Sequence, residues 1–386
     1  MLILKWLVLT GILLVSVAAL TVGWHFSSRI LAVESPAFRP EFEILEVLEG
    51  AVVLPRTERT GRQGLYGLRW ENGRALLSDV LAEDEESVRR RYEPLEGTPP
   101  RAGDSAQMDS YLYGGDPRSS LGLGFESLVL RGEAGDLHAW WLGGEVGTAV
   151  IMLHGRGAGR HESLRTLPAV LAGGYGALLL AYRNHDGSAP SPDGFHHYGK
   201  SEWRDVMSAV DYLVETQSIE RVVLYGFSMG GAVALEAARE LSRRELALGG
   251  PDSLLAGIIL DAPMLDVNAA IREGAVRLGL PLPGPLARLA LLVARLRTGI
   301  DWTALDKRRT LREVHAPILL IHGVADAVTP VHVSDEFAAL APQQVRYHRV
   351  LGAGHVESWN QDPASYEGWI RDFLGEVATV QRSVAR

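Results

Sequence analysis

The chain has 386 residues, 47% of them apolar, and no cysteine. That length supports one large domain or two ordinary ones around a sizeable core, which excludes a disordered protein; the missing cysteines exclude a disulfide framework and a thiolate metal site. A formal charge of -9, with both signs mixed along the sequence, leaves no basic footprint, so no nucleic-acid partner is expected.

In chain order, the first element is "WLVLTGILLVSVAALTVGW", Trp6 to Trp24, which carries no charge. As a helix it is just long enough to cross a hydrocarbon core of roughly 30 Å, and a tryptophan at each end matches an aromatic belt. Residues 1–30 therefore read as a transmembrane anchor with single-pass membrane localisation; the rival is a signal peptide cleaved after Ala19, where "SVA" supplies small residues. Lys5 before the span and Arg29 and Arg39 after it nearly balance, and the orientation favoured puts the bulk of the chain, with any catalytic domain, outside the cytoplasm.

Residues 31–124 read as a separate N-terminal extension. Its segment "AEDEESVRRRYEPLEGTPPRAGDS" has the composition of a solvated helix followed by a loop, flanked by β-like runs such as "EILEVLEGAVVL" and "GLYGLRW". No motif in it connects to chemistry, and there is no internal repeat.

From about residue 125 to the end at 386, strands alternate with helices. "FESLVLRG" and "LHAWWL" suggest an antiparallel opening pair, and "TAVIMLHG", "GALLLAY", "RVVLYGFS", "LAGIILDAP" and "APILLIHG" are continuous apolar runs ending in turn residues, as in strands buried on both faces. "KSEWRDVMSAVDYLVETQ" puts Trp203, Val206, Met207, Val210 and Leu213 on one helical stripe. The final helix starts with Asp362 as N-cap and Pro363, and its apolar face holds Tyr366, Trp369, Ile370 and Phe373. The fold class is α/β, a doubly wound, mostly parallel sheet.

In such sheets ligands sit at the carboxyl ends of strands, so residues just after each apolar run matter most. "GFSMG" satisfies G-x-S-x-G between a strand and a helix: the sharp turn exposes the Ser228 hydroxyl and places the N–H of Met229 at a helix N-terminus, where negative charge is stabilised. Among 42 glycines the bare motif is weak, and the strand–turn–helix context is what gives it meaning. The glycine loop "HGRGAGR" after "TAVIML" offers a second oxyanion donor, the N–H of Arg156. It has neither a Walker lysine nor G-x-G-x-x-G spacing, and His154 reads as structural. Asp326 in "IHGVADAVTP" and His355 in "GAGHVESW" each follow another strand. Alone, the first is turn chemistry and the second one histidine among 12. The order serine, aspartate, histidine is what gives them weight.

With these residues in view, the segment from about 125 to 378 resembles the α/β-hydrolase superfamily, through His154-Gly155 and its glycine loop, Gly226 to Gly230, "HGVADAVTP" and "GAGH". "AYRNHDGSAPSPDG" and "SEWRDVMSAVDYL" are similar to bacterial serine hydrolases known as uncharacterised esterases or acyl-peptidase-like proteins. The resemblance implies acyl transfer to water: His355 takes the proton of Ser228, Asp326 orients the imidazole, and the N–H groups of Arg156 and Met229 receive the oxyanion. It also favours Asp326 over Asp261, which ends "LAGIILD" and competes for the acid role. No cofactor and no metal are expected. "HESLR" lacks the second histidine of H-E-x-x-H, and His196-His197 shows no carboxylate at a persuasive spacing.

Residues 265 to about 312 interrupt the strands with two helical stretches broken by Pro281, Pro283 and Pro285, and read as a lid. Arg272, Arg277, Arg288, Arg295 and Arg297 make it locally basic, which suggests a lid facing a membrane; the alternative is a cap with solvated arginines. The expected function is a membrane-anchored serine hydrolase, a carboxylesterase or lipase-like enzyme acting on a small-molecule or lipid-like acyl substrate. An acyl-aminoacyl peptidase or thioesterase of the same fold, and an inactive membrane-anchored scaffold, are the alternatives.

Overall fold

The computed structural model describes residues 2–33, 38–248 and 253–384. A helix, Leu2–Leu31, precedes seven strands: β1 (Phe42–Glu43), β2 (Glu46–Leu48), β3 (Ala51–Pro55), β4 (Tyr66–Trp70), β5 (Gly73–Glu83), β6 (Ser87–Gly97) and β7 (Ser105–Asp109). They form an antiparallel sheet in the order β1-β7-β4-β5-β6-β3-β2. Its core is small, built on Val52, Leu54, Tyr66, Leu68, Leu77 and Val88.

The solvated helix expected within "AEDEESVRRRYEPLEG" is in fact the β5–β6 hairpin. Asp84 closes its turn by accepting the N–H groups of Glu86 and Ser87 at 2.9 and 2.8 Å. Along β6 the alternate residues Val88 and Arg90 face inward, so a charged side chain occupies a core position and hides the period of two. Burial of Arg90 is compensated because its guanidinium donates to the carbonyls of Thr60, Arg62, Gly64 and Ser78 at 2.5 to 3.2 Å.

The second sheet contains β8 (Glu126–Arg131), β9 (Asp136–Leu142), β10 (Thr148–Leu153), β11 (Gly176–Ala181), β12 (Arg221–Phe227), β13 (Leu255–Asp261), β14 (Ile318–Gly323) and β15 (Val345–Val350). Their order is β15-β14-β13-β12-β10-β11-β9-β8. β8 and β9 pair antiparallel, as does β9 with β11, and the other neighbours are parallel. Alternate residues of β10 feed two cores. Ala149, Ile151 and Leu153 face the helices Trp203–Thr216 and Met229–Leu248, while Val150 and Met152 face Leu167–Leu171 and the final helix Pro363–Val384. Because β11 and β12 lie on opposite sides of β10, strand order reverses there and a crevice opens at the carboxyl ends.

Between β13 and β14 stand the helices Val267–Arg277 and Pro283–Thr298, the first N-capped by Asp266 and the second ended by Gly299 at φ 72°. The N-terminal helix packs on this insertion. A Cβ on Gly23 would lie 2.8 Å from Val293, so the close approach requires glycine. Arg297 donates to the hydroxyls of Ser27 and Ser28 at 2.9 and 2.8 Å and lies 4.2 Å over the ring of Trp24.

This packing goes with a correction. Among the described residues no helix is long and apolar enough to cross a membrane, so the transmembrane anchor over 1–30 and the single-pass membrane localisation do not stand. Trp24, read as part of an aromatic belt, lies against an arginine, and Ile30 and Leu31 are buried in the main core. The basic insertion is also partly engaged: besides Arg297, Arg295 lies 3.8 Å from Asp301.

The two sheets are joined beside β15. Asn360 donates to the carbonyls of Leu65 and Ser110 at 2.6 and 2.9 Å and accepts the N–H of Leu65 at 2.8 Å. Arg62 and Ser110 both donate to the Glu357 carboxylate, at 2.5 and 2.9 Å.

Candidate active site

Ser228 sits at φ 49° between β12 and the helix that opens at Met229. A non-glycine residue in this region is strained, and the surroundings hold it there. Its N–H donates to Asp261 O at 2.9 Å, and its carbonyl accepts from Gly231 and Met264 at 3.0 and 2.9 Å. Side chains on Gly226 or Gly230 would run into the main chain of Gly230 and of Leu153 respectively, which is why the turn needs glycine. Met229 is the first residue of its helix, so its N–H has no carbonyl of that helix to bond.

Three separate loops meet at Ser228. His355 Nε2 is 2.8 Å from Ser228 Oγ, and His355 Nδ1 is 2.7 Å from Asp326 Oδ2. The other Asp326 oxygen accepts the N–H groups of Val328 and Thr329 at 2.7 and 2.8 Å, and Oδ2 also accepts the Thr329 hydroxyl at 2.7 Å. Burial works against charge on Asp326, but His355 and the hydrogen bonds from His322 and His355 outweigh it and hold the carboxyl well below the usual range. Burial likewise disfavours imidazolium at His355, and the Asp326 carboxylate reverses this, raising its pKa above the ordinary value of 6.5.

Asp261, the rival acid, adjoins the Ser228 turn through its main chain, but its side chain bonds Tyr366 rather than His355. It is fully buried, one oxygen accepts the Tyr366 hydroxyl at 2.8 Å, and burial raises its pKa.

The glycine loop after β10 touches the same turn. A Cβ on Gly155 would stand 3.2 Å from Ser228 Cβ. The N–H of Gly155 donates to Glu162 Oε2 at 2.5 Å, so this donor is committed to holding the loop. The Arg156 side chain donates to the carbonyl of Arg29 at 2.6 Å and ties the loop to the N-terminal helix. His154 is buried and stacked on Tyr182, ring centroids 4.5 Å apart, and burial pushes its pKa down to about 3, so the ring is neutral at neutral pH.

Sequence reasoning missed three contributors. Glu162, its pKa pushed up to about 7 by burial, was read only within an incomplete zinc motif. His322 Nε2 is 3.1 Å from Asp326 Oδ2, and its Nδ1 is 2.7 Å from Ser334 Oγ; its signal was a histidine at the end of β14, four residues before Asp326. Thr329 is the third. His197 also finds a carboxylate the reading overlooked, Asp193, at 2.9 Å.

Two cavities flank the loop, and Arg156 lines both. One, of about 380 Å³, is polar and contains Ser228 and His355. The other, of about 340 Å³, is mainly apolar, with Phe26 and Ile30 of the N-terminal helix facing Ile271, Leu278 and Ala287 of the insertion.

Comparison with known proteins agrees with this architecture. An uncharacterized protein of Mycobacterium tuberculosis is 28% identical over 270 residues, covering 68% of this chain and 83% of its own. Lysophosphatidylserine lipase ABHD12 of Xenopus tropicalis is 24% identical, covering 59% of this chain and 58% of its own. The solved structure of the esterase Pf2001 of Pyrococcus furiosus superposes with a TM-score of 0.53 at 20% identity, over 68% of this chain and 96% of that one, and so shares the fold. Residues 43–109 match a domain of unknown function, DUF8805. Residues 150–367, more than half of the sequence, match the model of the alpha/beta hydrolase family, and the chain belongs to that family.

Proposed function

We propose that the chain is a serine carboxylesterase of lipase-like character, with Ser228 as nucleophile, His355 as general base and acid, and Asp326 as the group that orients and charges the imidazole. The observation that carries this reading is the unbroken path from Ser228 Oγ to His355 at 2.8 Å and from His355 to Asp326 at 2.7 Å. In the first step the Ser228 oxygen attacks the ester carbonyl while its proton passes to His355 Nε2. Negative charge on the carbonyl oxygen is received by the N–H of Met229, with the N–H of Arg156 as second donor, each worth about 3 kcal/mol of barrier. The alkoxide then leaves with the proton from His355; water attacks the acyl-serine ester while His355 takes one of its protons, and that proton passes to Ser228 Oγ as the acid departs.

The apolar cavity beside the site supports an acyl chain as the part of the substrate it receives, with the insertion helices as its lid. The naming of the Xenopus relative as a lipase points the same way. Hydrolysis of p-nitrophenyl octanoate tests the reading: wild type is expected to turn it over, and Ser228→Ala to lose at least about 10⁴-fold in kcat. Undiminished hydrolysis by Ser228→Ala defeats it.

A further inference from the structure

The cavity containing Ser228 and His355 has an outer wall that the hydrolase sheet does not supply. Glu41, Arg59, Gln107, Ser110 and Tyr111, from the N-terminal sheet and its connecting segments, face Ser228 and His355 across it. This wall is fixed to the segment just after His355 through Asn360 and Glu357. The apolar cavity also meets Arg156, so on the ester reading the two halves of a bound ester would part at the glycine loop.

The charges of this wall are already matched. Arg59 pairs with Glu41 at 2.5 Å and lies 3.9 Å from Glu357, Arg62 pairs with Glu357 at 2.5 Å, and Arg74 pairs with Asp109. An anionic head group seated against this wall would have to displace a carboxylate from Arg59. A plain alkyl alcohol would displace water from donors and acceptors that it cannot replace. A neutral alcohol with several hydroxyls offers donors and acceptors together and leaves the ion pairs intact.

Resting on the ester-hydrolase reading above, we propose that the N-terminal sheet forms the leaving-group side of the active site and selects esters of neutral polyhydroxy alcohols. The test compares kcat/KM for four octanoate esters on the full chain: of glycerol, of glucose, of glycerol phosphate and of ethanol. Wild type is expected to favour the glycerol or glucose ester over both the ethyl and phosphate-bearing esters by on the order of tenfold. The relative rates of the first two tell which polyol it takes. Arg59→Met, which removes a partly exposed donor, and Tyr111→Phe, which removes one hydroxyl, should each lower the polyol-to-ethyl ratio several-fold, chiefly through KM. A purely structural role would lower all four esters together. Retained ethyl ester hydrolysis with no polyol preference, or a ratio unmoved in both variants, overturns the proposal alone. Failure of wild type on the whole series overturns the ester reading and this proposal with it.

Discussion

Asp326 is held from more directions than any other side chain at the site, through two main-chain N–H groups, the Thr329 hydroxyl and two imidazoles. Such a carboxylate stays charged and stationary, as a group that orients His355 must. Asp326→Asn should lower kcat about 10⁴-fold, as loss of the tautomer-fixing charge does elsewhere, whereas Asp261→Asn should act mainly on stability. The reverse pattern in steady-state kinetics would reassign the acid. The sign of the pH dependence follows from His355, which must be neutral to accept a proton. Because Asp326 raises its pKa above 6.5, kcat/KM should climb with pH through a limb centred above that value, and in Asp326→Asn the residual activity should titrate at lower pH. That Ser228 and His355 come together was legible in the sequence because each lies in a short loop after a strand, the one apolar and the other, "VRYHRV", mixed, a position with chemical meaning in this architecture. Glu162 was not, since its partner is the backbone N–H of Gly155, seven residues earlier, and no residue pattern encodes such a bond.

At the scale of elements, the insertion and the N-terminal helix together line most of the apolar cavity. Gly274, on the helix Val267–Arg277, lines this cavity, and no atom lies within 4 Å of where its Cβ would be. A large residue is thus accommodated there, and removing a mid-helix glycine favours the helix. Gly274→Trp should shift the acyl preference among p-nitrophenyl esters toward short chains, with the octanoate-to-acetate ratio falling about tenfold or more. Val276→Trp, at an exposed position outside the cavity, should leave that ratio alone. An equal response to both substitutions would remove the cavity from the substrate path. Strand and helix types in the hydrolase region were readable because buried parallel strands are continuous apolar runs. The hairpin around Asp84 was not, since an inward Arg90, satisfied by four carbonyls, erases the alternation that identifies a strand.

At the scale of the whole molecule, the two sheets are joined by polar contacts close to His355 and by the packing of Leu65, Leu76 and Leu112 on the main core. Their register depends on Asn360, whose buried amide satisfies two carbonyls of the N-terminal region. Asn360→Ala strands the carbonyl of Leu65 and removes one of two donors from that of Ser110, which keeps Arg165 at 2.5 Å, and should cost roughly 2 kcal/mol in urea unfolding while lowering activity, because the wall of the site moves. Wild-type stability in that variant would show that the contact does not matter. Tertiary docking of this kind is invisible in sequence. The helix Leu2–Leu31 shows the same limit: hydropathy described its composition, but not the packing of Gly23 on Val293 or of Arg297 on Trp24. The proposed hydrolysis depends on one nucleophile, and the most direct measurement of it is labelling with a fluorophosphonate followed by mass spectrometry of the modified peptide. The adduct is predicted on Ser228, lost in Ser228→Ala and strongly slowed in His355→Ala. Labelling that persists in Ser228→Ala at the wild-type rate would contradict the account.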